Sequence, residues 1–342
     1  MKNSPASLGY RMPAEWEEHE ATWLSWPKNL DTFPASILGE VEKTFVKAIE
    51  ALAEGEEVRV LVDDEGTEKR ARARLNGGAN VSFIRQKTAD VWTRDYAPIC
   101  VRGKDVALTK WVFNAWGGKY DDLMPDDLAG RDMALASGLS VFETGVVLEG
   151  GSVDANGKGT LLTTEQCLLN PNRNPRLGKR SLENRLRDYL GASHVVWLKS
   201  GIAGDDTDGH VDDIARFVAP DVVLLAWEAG TSDPNHAPLK ENLRLLRDSV
   251  DQDGEIYDIV TIPMPEPIKS PQGRLPASHL NFYIGNAAVL VPTFGSPTDK
   301  NALGTIQAYF PDRKVVGIDC RALVYGLGTL HCVTQQVPAL KG

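Results

Sequence analysis

Cysteine is scarce: four residues in 342, Cys100, Cys167, Cys320 and Cys332, with no CxxC pair among them. The N-terminal stretch MKNSPASLGYRMPAEWEEHEATW has no apolar core of the kind a secretory signal needs. Free thiols in a reducing, cytoplasmic compartment are therefore expected. Long apolar runs are also missing. The longest extends only from Val222 to Trp227, far short of the ~20 residues that span a bilayer, so no membrane partner is expected. Nor is there an excess of positive charge. Lys and Arg number 37 against 47 Asp and Glu, a net charge of -10, which argues against a nucleic-acid partner. No Walker A motif, no GxGxxG after a first strand and no GxSxG occurs, so nucleotide-binding and serine-hydrolase readings have no motif support. No linker, charge block or low-complexity tract divides the chain.

What is present is an ordinary globular balance, 42% hydrophobic and 25% charged, over a length that suits two units or one large one. Short apolar runs rich in β-branched residues recur at VRVLV (Val60), VALTKWV (Leu108), TLLTT (Leu162), VVLLAW (Leu225) and AAVLV (Leu290), and read as strands. A helix-like stretch follows each one: EGTEKRARARL, DDLAGRDMALAS, SLENRLRDYLG, LKENLRLLRDSV and NALGTIQAYF. In the fourth, Leu243, Leu246 and Val250 form the expected apolar face. A second strand then follows each helix: VSFIR, LSVFE, HVVWL, EIYDIVTI and KVVGI. One such unit cannot cover its own apolar face, and closure around an axis would protect the sheet edges. The expectation is an α/β fold: a five-bladed, pseudosymmetric β/α propeller forming one domain over residues 1–342. An open α/β sheet is the plainer alternative.

The candidate functional residues follow the second strand of each unit. They are Trp92, Arg94 and Asp95 in VWTRDYAP, and Glu149, Gly150 and Gly151 in VVLEGGS. Next come Asp206, His210 and Asp212 in DDTDGHVDD, His279 and Asn281 in SHLNFY, and His331 and Cys332 in YGLGTLHCVTQQ. Around an axis these positions would line one pocket. Cys332 follows a glycine-containing turn and suits a thiolate nucleophile, helped by a cationic substrate or an imidazolium. His210 suits the acid/base, since an unperturbed imidazole titrates near working pH. If their segment is a strand, His210 and Asp212 share a face. Asp95, Asp212 and Glu149 crowded together would repel one another, and a bound guanidinium would relieve that repulsion.

The same residues have plainer readings. Cys100, Cys167 and Cys320 are read as small buried hydrophobes, and His19, His194 and His236 as surface or capping residues. His331 is expected to point away from Cys332 in an extended segment. EGGS is a weak signal, because paired glycines mark many turns. A zinc site from His210, Asp212 and Cys332 is the rival chemistry, but the spacing matches no zinc motif.

The chain resembles the agmatine deiminase family of the guanidino-group-modifying (pentein) superfamily, in its peptidylarginine-deiminase-like bacterial branch. The resemblance runs through RMPAEWEEHEATWLSWP, VWTRDYAP, FNAWGGKY, LEGGS, LLTTEQCLLNPNRNP, TDGHVDD, ASHLNFYIGN and LHCVTQQVP, nearly the whole chain. It implies a five-bladed β/α propeller, and hydrolysis of agmatine to N-carbamoylputrescine and ammonia within putrescine biosynthesis, without metal or organic cofactor. By motif, Cys332 is implied as the nucleophile, His210 as the acid/base, and Asp95 and Asp212 as the guanidinium carboxylates. Trp92 is implied as a pocket wall, Glu149 as a binding residue, and Asp206 as facing the amine end of the substrate. The turn YGLGTLHC departs from the family's glycine-rich form at Leu327 and Thr329, which bears on substrate preference. Arginine or peptidyl-arginine deimination, and a non-catalytic polyamine- or guanidino-binding protein, are the other readings. The sequence does not give the oligomeric state, and a homodimer stays open.

Overall fold

The computed structural model describes residues 3–75, 80–271 and 273–340. Five sheets of three or four strands carry the fold, beside one two-stranded hairpin of Lys269–Ser270 and Gly273–Arg274, and four of the five share one plan. A short antiparallel strand leads, a buried central strand follows, and a helix then crosses over to a parallel partner. Ile99–Arg102, Val106–Val112 and Ser140–Val147 make one such sheet. Asp154–Ala155, Thr160–Thr164 and His194–Leu198 make the next. Ala215–Ala219, Val222–Trp227 and Asp258–Pro263 follow, and then Tyr283–Ile284, Ala288–Thr293 and Lys314–Asp319. The central strands read as continuous apolar runs because both their faces and both their edges are covered.

The remaining sheet joins the two ends of the chain. Gln335–Pro338 pairs antiparallel with His19–Ser25, which continues in parallel to Glu57–Val62 and Val81–Arg85. This pairing carries Cys332 against the first unit, where the Arg94 amide donates to the Cys332 carbonyl at 3.2 Å.

All five apolar runs read as strands are strands, and the five crossover helices are present at Glu65–Arg74, Asp126–Ala136, Lys179–Leu190, His236–Arg247 and Asp299–Tyr309. The expected two strands per helix become three in the four alike sheets. The leading strands have two to five residues, too few for an alternating pattern to register. His19–Ser25 and the helix Ala35–Leu52 lie outside the expected repeat. In the fourth crossover helix the buried face is Leu239, Leu243 and Leu246. Val250 falls beyond its end and is exposed, because the helix stops at Arg247 rather than continuing another turn. His19 is buried rather than on the surface: its Nδ1 lies 3.2 Å from Glu56, and its Nε2 2.8 Å from the Glu15 carbonyl.

A knot of buried charge ties distant segments together. Arg216 is fully buried; its Nε donates to Asp154 at 2.9 Å, its Nη2 to Glu15 at 2.8 Å and its Nη1 to the Phe282 carbonyl at 2.6 Å. One guanidinium thus joins the N-terminal segment to three of the sheets. Buried charges persist only when paired this fully. Among the described residues no helix is long and apolar enough to cross a membrane.

Candidate active site

The loop that follows the Val81–Arg85 strand makes one short turn of helix, Thr93–Tyr96, with Arg94 and Asp95 both buried. Asp95 accepts from the Trp116 indole Nε1 at 2.9 Å and from the Gly151 amide at 3.0 Å. The Trp116 loop reaches it by an unusual path: Ala115 and Trp116 have positive φ of 49° and 53°. Non-glycine residues held there store strain, and such strain gathers at functional sites.

His210 and Asp212 do not lie on a strand. Val211–Asp213 is a single tight turn, so the same-face argument from alternation fails. The two side chains are nonetheless brought together, along with Asp95. A Cβ placed on Gly151 would lie 2.6 Å from His210 Nδ1, 2.9 Å from Asp212 Oδ2 and 3.0 Å from Asp95 Oδ1. Three candidate side chains close around a point that only glycine leaves free. EGGS, a weak signal by itself, is where the backbone must approach that cluster.

Cys332 faces this group. Its sulfur lies 4.0 Å from Asp212 Oδ2, and it accepts from Asn281 Nδ2 at 3.2 Å. Asn281 also holds the turn that carries the thiol: its Oδ1 accepts from Thr329 Oγ1 at 2.7 Å and from the His331 amide at 3.1 Å. Thr329, one of the two departures from a glycine-rich turn, therefore has a partner. Leu327, the other, takes φ +71°, a left-handed conformation that costs a branched side chain about 1 kcal/mol.

Asp95 and Cys332 line a cavity of about 280 Å³ together with Trp92, Trp116, Tyr120 and Leu327, and Asp31, Asp122 and Asp206 also face it; His210 and Asp212 are not among its lining residues. No Lys or Arg is among its lining residues within the described part of the chain. Asp206 accepts from the Tyr120 hydroxyl. Arg94, the one base near the motif, is turned away into Gln336 at 2.8 Å and Glu15 at 3.2 Å. Glu149 stands behind His210 rather than in the cavity wall, its Oε1 bound by Arg173 Nε at 2.6 Å. His279 is elsewhere, bound to the Pro292 carbonyl and Thr298.

The electrostatics are those of a site built for a cation. Burial pushes the Cys332 thiol well above its ordinary range, and Asp212, Asp213 and Asp95 push it the same way. Burial opposes charge on His210, yet Asp95, Cys167 and Glu149 outweigh it and hold the imidazole well above its usual value. Asp95 is raised, first by burial and then by Asp212 and Glu149, against the pull of His210. Asp212 is lowered: burial works against ionisation, but the hydrogen bond and charge of His331 prevail. Buried polar atoms here lack partners, namely both ring nitrogens of His210, Asp212 Oδ1 and Glu149 Oε2. Such orphans are costly unless something else binds them.

Sequence reasoning missed Trp116, Asn281 in its supporting role, and Cys167. The last is buried as expected, but its sulfur and donor atoms of His210 and Glu149 lie within 4.8 Å of one another. That trio, and not His210, Asp212 and Cys332, is the set of metal-donor side chains this close among the described residues. Trp116 stands in FNAWGGKY, where a tryptophan between an asparagine and two glycines was the available signal.

Comparison with known proteins agrees over nearly the whole length. Residues 11–338 match the model of the Porphyromonas-type peptidyl-arginine deiminase family. A Mycoplasma capricolum protein named "Putative agmatine deiminase" is 36% identical over 364 residues, covering 100% of this chain and 99% of its own. The structure of an agmatine deiminase of Enterococcus faecalis superposes with a TM-score of 0.92 at 32% identity, covering 98% of this chain and 97% of that one. A Porphyromonas gingivalis structure described as a "Putative Arginine Deiminase" gives 0.89 at 37% identity, covering 96% and 98%.

Proposed function

The chain belongs to the Porphyromonas-type peptidyl-arginine deiminase family, and from that premise we propose that it is an enzyme that hydrolyses agmatine to N-carbamoylputrescine and ammonia. The single observation that carries this is the meeting of Cys332, Asp95, Asp212 and His210, of which Cys332 and Asp95 line a cavity whose charged residues, among those described, are all carboxylates. The reading takes the chain as one domain over residues 1–342, of which a few lie outside the described residues.

In the proposed reaction Asp95 and Asp212 grip the guanidinium edge to edge and set its central carbon beside the Cys332 sulfur. Before substrate enters, burial and then the carboxylates Asp212, Asp213 and Asp95 favour the protonated thiol. The incoming cation cancels that field, so the substrate itself promotes loss of the thiol proton to solvent water. The thiolate adds to the guanidinium carbon. Imidazolium His210 gives its proton to the departing nitrogen, the C–N bond breaks, and ammonia leaves an amidino-thioether on Cys332. Neutral His210 then takes a proton from water, hydroxide adds to the same carbon, and the C–S bond breaks as the new hydroxyl gives its proton to solvent, which releases the ureido product and the thiolate. Trp92 and Trp116 wall the methylene chain. Asp206 faces the far ammonium, and Glu149 acts from behind on His210.

Deimination of arginine or peptidyl-arginine is the second reading, favoured by the description of the family and by the Porphyromonas gingivalis likeness. The cavity supports agmatine instead. An α-carboxylate entering it would meet Asp31, Asp122 and Asp206, with no base among the described lining residues to receive it. Like charges brought together in a buried site cost several kcal/mol, about a hundredfold or more in discrimination. Ammonia and ureido-product assays on agmatine, arginine and a blocked arginyl peptide at one pH test this. Agmatine is expected to exceed arginine by about that factor, with the peptide poorer still. Comparable rates on agmatine and arginine would overturn the preference, and no ammonia from any of the three would overturn the enzyme.

A further inference from the structure

His331, beside the nucleophile in sequence, turns its ring away from the sulfur and bridges two buried carboxylates. Its Nδ1 lies 2.6 Å from Asp212 Oδ2 and its Nε2 lies 2.8 Å from Glu15 Oε2. All three side chains are at most 6% exposed. Glu15 in turn accepts from Arg216 Nη2 at 2.8 Å, Arg94 Nη2 at 3.2 Å and the Ile284 amide at 2.9 Å. Glu15 comes from the segment before the first strand, and nothing in its motif, PAEWEE, set it apart from its neighbours.

We propose that Glu15 and His331 are positioning residues of the deimination reaction, a buried relay that holds Asp212 ionised and aimed to receive the guanidinium.

The donor arithmetic carries the argument. An ionised carboxylate only accepts hydrogen bonds, so a ring with a carboxylate oxygen at each nitrogen must donate from both and is a cation. The charge count agrees. Glu15, Asp154 and Asp212 supply three negative charges to the knot, and Arg94, Arg216 and an imidazolium at His331 supply three positive ones. A neutral ring would leave one buried carboxylate without a counterion, at a cost such clusters do not sustain. Glu15 is held well below the usual carboxylate range, because Arg216, His331 and Arg94 overcome the effect of burial. With Oδ2 engaged by His331, Asp212 keeps Oδ1 free of any partner, the atom left for substrate. The other charged or titratable groups acting on Asp212 are His210, Arg216, Asp213, Asp95 and Cys332. Of these only His210 and Arg216 are cationic, and Arg216 is already committed to Glu15 and Asp154.

The proposal rests on the deiminase reading for its kinetic consequence, though not for its structural one, so two measurements keep the two apart. The first uses the unliganded wild-type protein labelled with 15N-histidine, with His331 assigned through the spectrum of His331→Asn, or by elimination using variants of the other five histidines. Both ring nitrogens of His331 should be protonated at neutral pH, and an unprotonated ring nitrogen would overturn the relay whatever the enzyme turns over. The second is the pH dependence of kcat/KM for agmatine in Glu15→Gln and His331→Asn. Without its cation Asp212 takes up a proton more readily, so the acid limb should move to higher pH by about one unit, tenfold in kcat/KM below it. KM should rise more than kcat falls. A uniform loss of kcat with the limb unmoved, in variants that melt as the wild type does, would reduce both residues to packing. Absence of turnover in the wild type would count against the deiminase reading and leave the nitrogen measurement standing.

Discussion

Replacing Asp212 by asparagine should move two observables in opposite directions. The thiol of Cys332 lies 4.0 Å from Asp212 Oδ2. A unit charge at that distance is worth about 4 kcal/mol at an effective dielectric of 20. The imidazolium proposed at His331 already offsets part of that field, which leaves about tenfold in thiolate fraction as the effect to expect. Removing the carboxylate lowers the thiol pKa, because the thiolate no longer faces that negative charge. At a fixed pH below both values the thiolate fraction then rises about tenfold or more. Alkylation by iodoacetamide without substrate should accelerate by that factor in Asp212→Asn. Cys332→Ser serves as the blank, since of the four cysteines, all buried, Cys332 is the one that lines the cavity. Over the same substitution kcat/KM for agmatine should fall. Truncating one partner of a buried charge pair costs ~2–5 kcal/mol, about 30-fold to several thousandfold. A more reactive thiol in a less active enzyme is the signature of a site that waits for a cation. If Asp212→Asn alkylates no faster than the wild type, the account of a thiol suppressed by its carboxylates is wrong.

Three further outcomes follow from the geometry. Cys332→Ser should abolish turnover while still binding agmatine by calorimetry, and His210→Gln should let an amidino adduct of Cys332 accumulate, seen by mass spectrometry of quenched enzyme; residual turnover in the serine variant would reassign the nucleophile. Gly151→Ala should cost about a hundredfold or more in kcat/KM, since the new methyl falls among His210, Asp212 and Asp95 and displacements near 1 Å can cost that much; near-normal activity would mean the cluster is looser than it is drawn. Prolonged dialysis against a chelator should leave activity unchanged, because every proposed step uses side chains of the chain itself, whereas loss on chelation with recovery on added zinc would replace the thiolate scheme.

The fold was largely legible because its repeat is written in local chemistry. Buried central strands such as Val222–Trp227 are continuous apolar runs, and the crossover helices are polar on one side, so length and period separate them. What escaped was short or lacked a pattern of its own. The leading strand Asp154–Ala155 has two residues, and Gln335–Pro338 is a strand because His19–Ser25 offers it an edge. The end of the fourth crossover helix was misjudged by the apolar step to Val250. Spacing alone could not see that the helix stops at Arg247.

In the site the division is sharper. The residue types and their order along the chain were enough to nominate Cys332, His210, Asp95 and Asp212, since nucleophile, acid/base and carboxylates are recognisable by their chemistry. Partners, by contrast, are a property of distance. That Arg94 spends its charge on Glu15 and not on a ligand, that Cys167 stands beside His210, and that His331 serves Asp212 and not its neighbour Cys332 are facts about contacts between residues up to 316 positions apart. An amino acid's capacity to donate, accept or ionise travels with it in the sequence. Which group it meets, and hence whether it is structural or chemical, is set by tertiary packing, because hydrogen bonds and buried charges act over a few ångströms and depend on what has been excluded around them.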